Sequence, residues 1–426
     1  MGRMRLVILG GGGFRVPLVH RALVAAGWVD ELVLHDVDAT RLARIRAVLD
    51  GGPRTTATTD LDEALRGADF VFSAIRVGGL AGRATDEEVA HAHGVLGQET
   101  VGAGGVAYGL RTVPVARDIA RRIARLAPEA WVINFTNPAG LITEAMAEHL
   151  GPRVIGICDS PVGLCRRVAH ALGVTGDGVT GDGVTGDGVT GEGVTFDYAG
   201  LNHLGWLQGV RRGGEDLLPG LLADSEALLS FEEGRLFGVE FLQALGVVPN
   251  EYLHYYYDTR DALGDDRGGF LLRQQKRFYQ GEVDWETTRL EREATYMKQE
   301  RDSLEGGGYE HVALDLMQAI ASKETARLIL NVRNGSTLST VDSDAVVEVP
   351  CEVDAGGARP LPVSPLPDHA AGLVTSVKAV DRLVLEGTRA AALKAFALHP
   401  LVDSVGTAKS LLDTYIQRHP GLAYLS

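Results

Sequence analysis

Short apolar runs alternate with longer amphipathic stretches through the first half of the chain. "RLVIL" is followed by four glycines and the amphipathic "FRVPLVHRAL". "ELVLHDVD", "ADFVFSAIRVGG", "AWVINFTNPAG" and "RVIGICDSP" are further apolar runs, each ending in glycine, acid or proline. The last leads into "VGLCRRVAHALG", which has helical spacing. Strand-length apolar runs alternating with helical patterns predict a parallel sheet covered on both faces. The expected fold class is α/β: a Rossmann-like, doubly wound parallel sheet of the lactate dehydrogenase type, followed by a mixed α+β domain. The predicted boundary places a nucleotide-binding domain at 1–200 and a substrate or catalytic domain at 201–426.

The second half mixes periods. "SFEEGRLFGVEFLQALG" and "RGGFLLRQQKRFYQGEVDWETTRLEREATYMKQE" predict helices. "GGYEHVALDLMQAIASKETARLILNVRN" predicts a helix and then a strand, and "AVVEVPCEVDAGGARPLPV" is β-like with proline breaks. "AGLVTSVKAVDRLVLEGTRAAALKAFALHPLV" is helical again. Between the halves, residues 173–195 repeat a five-residue unit, "GVTGDGVTGDGVTGDGVTGEGVT". That period is shorter than any solenoid unit, and the glycine content predicts a surface loop.

Composition narrows the partners. The 426 residues carry a net charge of −15, which argues against nucleic acid and anionic membranes. No apolar run reaches the roughly 18 residues of a membrane span. The opening "MGRMRLVILGGGG" has no small-residue cleavage site, so a signal peptide is not expected. The three cysteines form no CxxC pair, which suits free thiols in a cytoplasmic protein.

Three stretches carry candidate chemistry. Gly10, Gly11, Gly12 and Gly13, with Phe14 and Arg15, link a predicted strand to a predicted helix. Glycines admit a pyrophosphate close to the backbone, and the helix N-terminus favours its charge. The third glycine of the usual fingerprint is replaced by Arg15. Asp36 ends the second strand, where a carboxylate can bind ribose hydroxyls and select NAD. Cys158 and Asp159 end another strand, and Asn202 and His203 sit in "YAGLNHLGW". On its own, Cys158 reads as a small hydrophobe, with Asp159 or Ser160 as a helix cap. Thiolate plus imidazole make an incomplete metal shell, open to substrate oxygens. In "PNEYLHYYYDTR", Tyr252, Tyr255 and Tyr256 share a helical face, as packing residues do. A tyrosine there can also serve as a base if a cation stabilises its phenolate.

Taken together, "GGGGFRVP", "IRVGG", "GRATDEE", "GQETVGAGG", "NFTNPAG", "GICDSPVG", "GLNHLGW" and "PNEYLHYYY" make the chain resemble glycoside hydrolase family 4. These are 6-phospho-glycosidases dependent on NAD and manganese. The resemblance implies a divalent metal, usually Mn²⁺, on Cys158 and His203, and NAD on the glycine loop. It implies Tyr252 as the base and Asp159 as the acid on the leaving oxygen. Asn137 and Asn202 match sugar contacts, and Arg83 and Arg267 match arginines that grip the 6-phosphate. In the family mechanism NAD⁺ takes hydride from C3, the C2 proton is removed, and the aglycone leaves by elimination. Water then adds and the hydride returns, an exception to two-carboxylate glycoside hydrolysis. The expected substrate is a phosphorylated disaccharide or glucoside, such as cellobiose 6-phosphate, and the expected assembly is a homodimer or homotetramer. The motifs look closest to the 6-phospho-β-glucosidase branch. Asp159 departs from it, because α-specific members tend to carry Asp there and many β-specific members Asn. An ordinary lactate- or malate-type dehydrogenase is the rival reading; it needs no metal.

Overall fold

The computed structural model describes residues 4–174, 193–263, 266–294, 308–322 and 324–426. Most of the five-residue repeat therefore lies outside the described residues.

Six strands form the parallel half: β1 (Arg5–Leu9), β2 (Glu31–His35), β3 (Arg54–Thr58), β4 (Phe70–Ser73), β5 (Trp131–Asn134) and β6 (Val154–Gly156). Their order is 3-2-1-4-5-6. The alternation of side chains sorts them onto two faces. Leu6, Ile8, Leu32, Leu34, Phe70, Phe72, Ile133 and Ile155 enter one core. Val7, Leu9, Val33, Val71, Val132 and Val154 enter the other. A strand with both faces buried has no polar positions to spare, which is why these runs are continuously apolar.

The chain then continues the same sheet with strands that run antiparallel to one another. β7 (Val194–Leu201), β8 (Leu204–Arg212), β9 (Glu215–Asp216), β10 (Val248–Pro249), β11 (Ala326–Arg333), β12 (Val346–Asp354) and β13 (Gly357–Pro360) complete it. β11 pairs antiparallel with β6 through Asn331 and Gly156, and the path runs on through β12, β7, β8 and β10. β7 and β8 form a hairpin that straddles residue 200. The expected strand after "GGYEHVALDL" is β11, preceded by the helix Tyr309–Ser322. The β-like stretch with proline breaks supplies β12 and β13.

In such sheets ligands bind at the carboxyl ends of the strands, where the strand order reverses. Here the reversal lies between β1 and β4. Gly10 follows β1 with φ of 84°, and a Cβ there would stand 2.5 Å from the Ala74 carbonyl oxygen. No other residue allows the loops after β1 and β4 to approach so closely.

Candidate active site

One cleft of ≈ 2860 Å³ crosses the carboxyl ends of the parallel strands. Typical small-molecule pockets hold roughly 300–1,000 Å³, so this one suits a dinucleotide together with a second ligand. Gly10, Gly13, Phe14, Arg15, Asp36, Arg83, Asn137, Cys158, Asp159, His203, Tyr252 and Arg267 all line it.

Gly11, Gly12 and Asn202 are not part of that lining. A Cβ on Gly11 would stand 2.8 Å from the Leu34 side chain, so this glycine serves packing on β2. The Gly12 N–H donates to Asp36 Oδ2 at 2.9 Å. Asp36 thus braces the glycine loop, and a carboxylate keeps lone pairs for a further donor. The Asn202 amide oxygen accepts from the Ala139 N–H at 3.1 Å, and its nitrogen donates to Glu348 at 3.1 Å. Both ends of that side chain are committed, one to the start of the helix Ala139–Leu150 and one to β12.

Cys158 and His203 come together from positions 45 residues apart, with Sγ and Nε2 separated by 3.5 Å. Both are buried, at 5% and 6% exposure. His203 adopts φ of 61° at the tip of the β7–β8 hairpin. Its Nδ1 meets Thr100 Oγ1 at 2.7 Å, and that hydroxyl donates to Gln98 Oε1 at 3.0 Å. The relay makes Nδ1 the protonated nitrogen and turns the Nε2 lone pair toward Cys158. Burial pushes the imidazole pKa down to about 4, so it is neutral near pH 7. Burial, Glu348 and Asp159 push the Cys158 thiol well up. A divalent cation would reverse that balance.

The donor pair fits a metal. Ligation at roughly 2.1 Å by nitrogen and 2.3 Å by sulfur separates the two atoms by about 3.1–3.5 Å. Among the described residues no group of three or more His, Cys, Asp and Glu is suited to a metal. Two protein donors leave most of a coordination shell for other oxygens.

Tyr252 lies flat on His203, with ring centroids 3.6 Å apart and planes 3° from parallel. Tyr252, Tyr255 and Tyr256 do share one face, packed against Leu96 and Val101, but only the first two line the cleft. Asp159 occupies the cap position of the helix Ser160–Ala171 without a capping hydrogen bond, and its side chain lines the cleft. The neighbouring Ser160 hydroxyl instead donates to the buried Glu251, whose pKa burial raises to about 7 against the pull of Arg167.

Beyond Tyr252 the cleft becomes cationic. Arg83 donates to Glu87 at 2.7 Å and to Glu99 at 2.5 Å, and Arg76 pairs with the same Glu99. Burial opposes the charge on Glu99, yet Arg76 and Arg83 hold its pKa down to about 2. Arg267 donates to the Arg292 carbonyl at 3.2 Å. Burial, and then the like charges of Arg15, Arg267, Arg83 and Arg76, push Arg292 down to about 9. Five guanidinium groups against Glu87 and Glu99 make this end an anion site.

Sequence reasoning missed Arg76, Arg292, Glu99 and Thr100. Glu99 and Thr100 stand inside "GQETVGAGG" and Arg76 inside "IRVGG", so those motifs held the signal. Arg292 sits in a charged helical stretch with nothing local to mark it.

A sequence model of family 4 glycosyl hydrolases matches residues 6–174, and that of the family's C-terminal domain matches residues 198–402. The chain belongs to glycosyl hydrolase family 4. Among its relatives, a probable 6-phospho-β-glucosidase of Bacillus subtilis is 33% identical, covering 86% of this chain and 82% of that one. A 6-phospho-α-glucosidase of Lacticaseibacillus paracasei is 29% identical, covering 97% of each. The solved 6-phospho-β-glucosidase of Thermotoga maritima, with manganese, NAD⁺ and glucose 6-phosphate, superposes with a TM-score of 0.81. It is 25% identical and covers 99% of this chain and 100% of its own. Family 4 membership makes the chain a glycoside hydrolase and sets aside the simple dehydrogenase reading. Its Rossmann-like sheet carries the nucleotide loop, and its antiparallel extension carries His203.

Proposed function

We propose that this family 4 member hydrolyses 6-phosphoglucosides, using NAD and a divalent metal such as Mn²⁺. The observation that carries the reading is one cleft holding three things in sequence: a glycine-rich nucleotide loop, the Cys158–His203 pair, and a buried arginine cluster. The relatives' phosphoglucosidase activities and the ligands of the Thermotoga enzyme support it.

The reading assigns each side chain a task. Arg83, Arg267, Arg292 and Arg76 hold the sugar's 6-phosphate, where planar donors suit its oxygens. Glycine-loop backbone and Asp36 hold the nucleotide. Cys158 and His203 hold the metal, with Thr100 fixing the imidazole tautomer. With both groups bound, the cleft would hold a hydride acceptor and a Lewis acid for the sugar. Tyr252, stacked on the metal-ligating imidazole, takes the C2 proton. Asp159 gives a proton to the leaving oxygen. Asn137 lines the cleft nearby and orients the sugar.

Within that activity we read the preferred linkage as β. The β relative's 33% identity against 29% for the α relative supports this. Asp159 on the cleft wall favours α. Purified protein assayed on both anomers of 4-nitrophenyl glucoside 6-phosphate, with and without NAD⁺ and Mn²⁺, tests the whole reading. Hydrolysis of the β anomer that needs both additions and leaves no net NADH is expected. Turnover of the α anomer alone reverses the linkage. Full activity in EDTA after NAD removal sinks the mechanism.

A further inference from the structure

The carbonyl groups of the glycine loop are held from outside the Rossmann half. The Tyr279 hydroxyl donates to the Gly12 carbonyl at 2.6 Å. The Trp285 indole N–H donates to the Phe14 carbonyl at 2.8 Å. The Tyr309 hydroxyl reaches the Arg15 carbonyl at 3.3 Å. All three aromatics lie more than 250 residues further along the chain. Rings reinforce the contact: Phe14 packs edge-on to Phe278 at 5.5 Å and against Trp285 at 5.8 Å. Arg15 lies over Tyr309 at 4.1 Å, and Arg41 over Tyr279 at 4.2 Å. Arg41 also donates to the Tyr279 oxygen at 3.0 Å.

In a trans peptide the N–H points opposite the C=O. Pinning the Phe14 carbonyl therefore sets the direction of the Arg15 N–H, at the start of the helix Val16–Ala26. The usual third glycine is absent at Arg15, and an aromatic hand on the loop carbonyls does the orienting instead.

The same segment reaches the arginine end. Tyr279 closes the helix Arg267–Tyr279, whose 13 residues span about 20 Å. At the other terminus Arg267 lines the cleft, and the Gly268 N–H donates at 2.6 Å to Glu87, the partner of Arg83. One rigid helix thus touches the anion cluster with its first turn and the nucleotide loop with its last.

We propose that Tyr279, Trp285 and Tyr309 are positioning residues for the nucleotide. We further propose that the helix Arg267–Tyr279 couples occupation of the arginine cluster by a sugar phosphate to nucleotide affinity. This rests on the function proposed above. Such coupling is reciprocal and typically amounts to about 5- to 150-fold in affinity.

Isothermal titration of NAD⁺ into the full-length protein, with and without saturating glucose 6-phosphate, reads it without turnover. In the unaltered protein the sugar phosphate should tighten NAD⁺ binding about fivefold or more. Tyr279→Phe keeps the ring and loses the donor; Trp285→Phe loses the donor and replaces the indole with a smaller phenyl ring. Each should weaken NAD⁺ about 3- to 10-fold with glucose 6-phosphate binding alone unchanged, and Tyr279→Phe should bring the coupling ratio close to one. Tyr257→Phe, altering an aromatic that accepts from Trp206 away from the loop, should change neither constant. Folding of each variant is checked by its thermal midpoint. NAD⁺ affinity within twofold of the unaltered protein in both clamp variants overturns the proposal. A coupling ratio that survives in Tyr279→Phe overturns the helix's part. If the unaltered protein binds NAD⁺ but no glucose 6-phosphate, the substrate reading and the coupling both fall. If it binds no NAD⁺, the cofactor reading and the clamp fall together.

Discussion

At the glycine-rich end of the cleft, neutral donors hold backbone carbonyls: Tyr279 on Gly12, Trp285 on Phe14 and Tyr309 on Arg15. At the arginine end, charges hold one another: Arg76 and Arg83 on Glu99, Arg83 on Glu87, with Arg292 pressed among like charges. The neutral end is satisfied by protein partners and keeps its shape without a ligand. Among the described residues the charged end gathers five arginines around Glu87 and Glu99 in a desolvated place, which suits an anion. A preformed nucleotide cradle and an anion-completed phosphate site are different solutions to binding phosphates in one cleft. Between them lie Cys158, His203 and Tyr252, where the chemistry is expected.

The largest effect should come from that middle ground. Tyr252→Phe keeps the ring stacked on His203 and removes only the hydroxyl. A general base lost from its step typically costs about 10²–10⁴-fold. We expect kcat to fall in that range with NAD⁺ and metal affinity retained. Reaction of the unaltered enzyme in D₂O should label C2 of the released sugar phosphate. An unlabelled C2 would remove Tyr252 from the chemistry and leave it a packing residue.

A smaller effect separates the two ends. Arg292→Met should weaken binding of phosphorylated substrate by roughly tenfold or more, since a charge-assisted contact contributes about 1.5–3 kcal/mol. NAD⁺ affinity in the absence of sugar should hold. The same change should raise the thermal midpoint of the ligand-free protein. Arg292 is depressed to about 9, so near pH 7 it is charged in both folded and unfolded chains, and the fold bears the cost. That cost would ease only as pH rises through about 9. Added inorganic phosphate should raise the midpoint of the unaltered protein and not that of the variant. A variant less stable than its parent without ligand would break the account of the charged end.

The smallest effect lies beneath the metal pair. Buried Glu348 accepts from Asn331 at 2.8 Å and from Asn202 and Tyr198 at 3.1 Å, and burial raises its pKa to about 7. A carboxyl raised above its unfolded value favours the protonated fold. Its stabilising contribution is complete below the unfolded pKa near 4.5 and is lost as pH rises through about 7. Glu348→Gln fits the same partners if the Tyr198 hydroxyl turns to accept. It should flatten the decline in thermal midpoint between pH 5 and 8 and leave the arginine end unchanged. A decline of the same slope in the variant would assign it to Glu251 or Asp315, the other carboxyls that burial raises to about 7.

Legibility followed distance along the chain. Strand, glycine turn and helix around Gly10 are written in adjacent residues, and the structure has them as read. The motifs of Cys158 and His203 point to a metal pair, but their 3.5 Å approach needed β6 and the β7–β8 hairpin in one sheet. Asn202 had the right motif; the structure commits its amide to Ala139 and Glu348. Arg292 had no motif at all, because its meaning comes from Arg15, Arg76, Arg83 and Arg267 around it.

By itself the sequence determined five of the six parallel strands, the glycine loop and the family-bearing motifs; β3, polar and largely exposed, gave no apolar signal. Short continuous apolar runs and glycine turns are local physics, settled by backbone sterics and by the burial of both strand faces. Tertiary structure alone decided that the antiparallel strands extend that sheet, that Tyr279, Trp285 and Tyr309 close on the loop, and that five arginines share one pocket. Those pairings join segments up to hundreds of residues apart. Each segment's own pattern says only which face is apolar or charged, and what that face meets depends on how the whole chain packs.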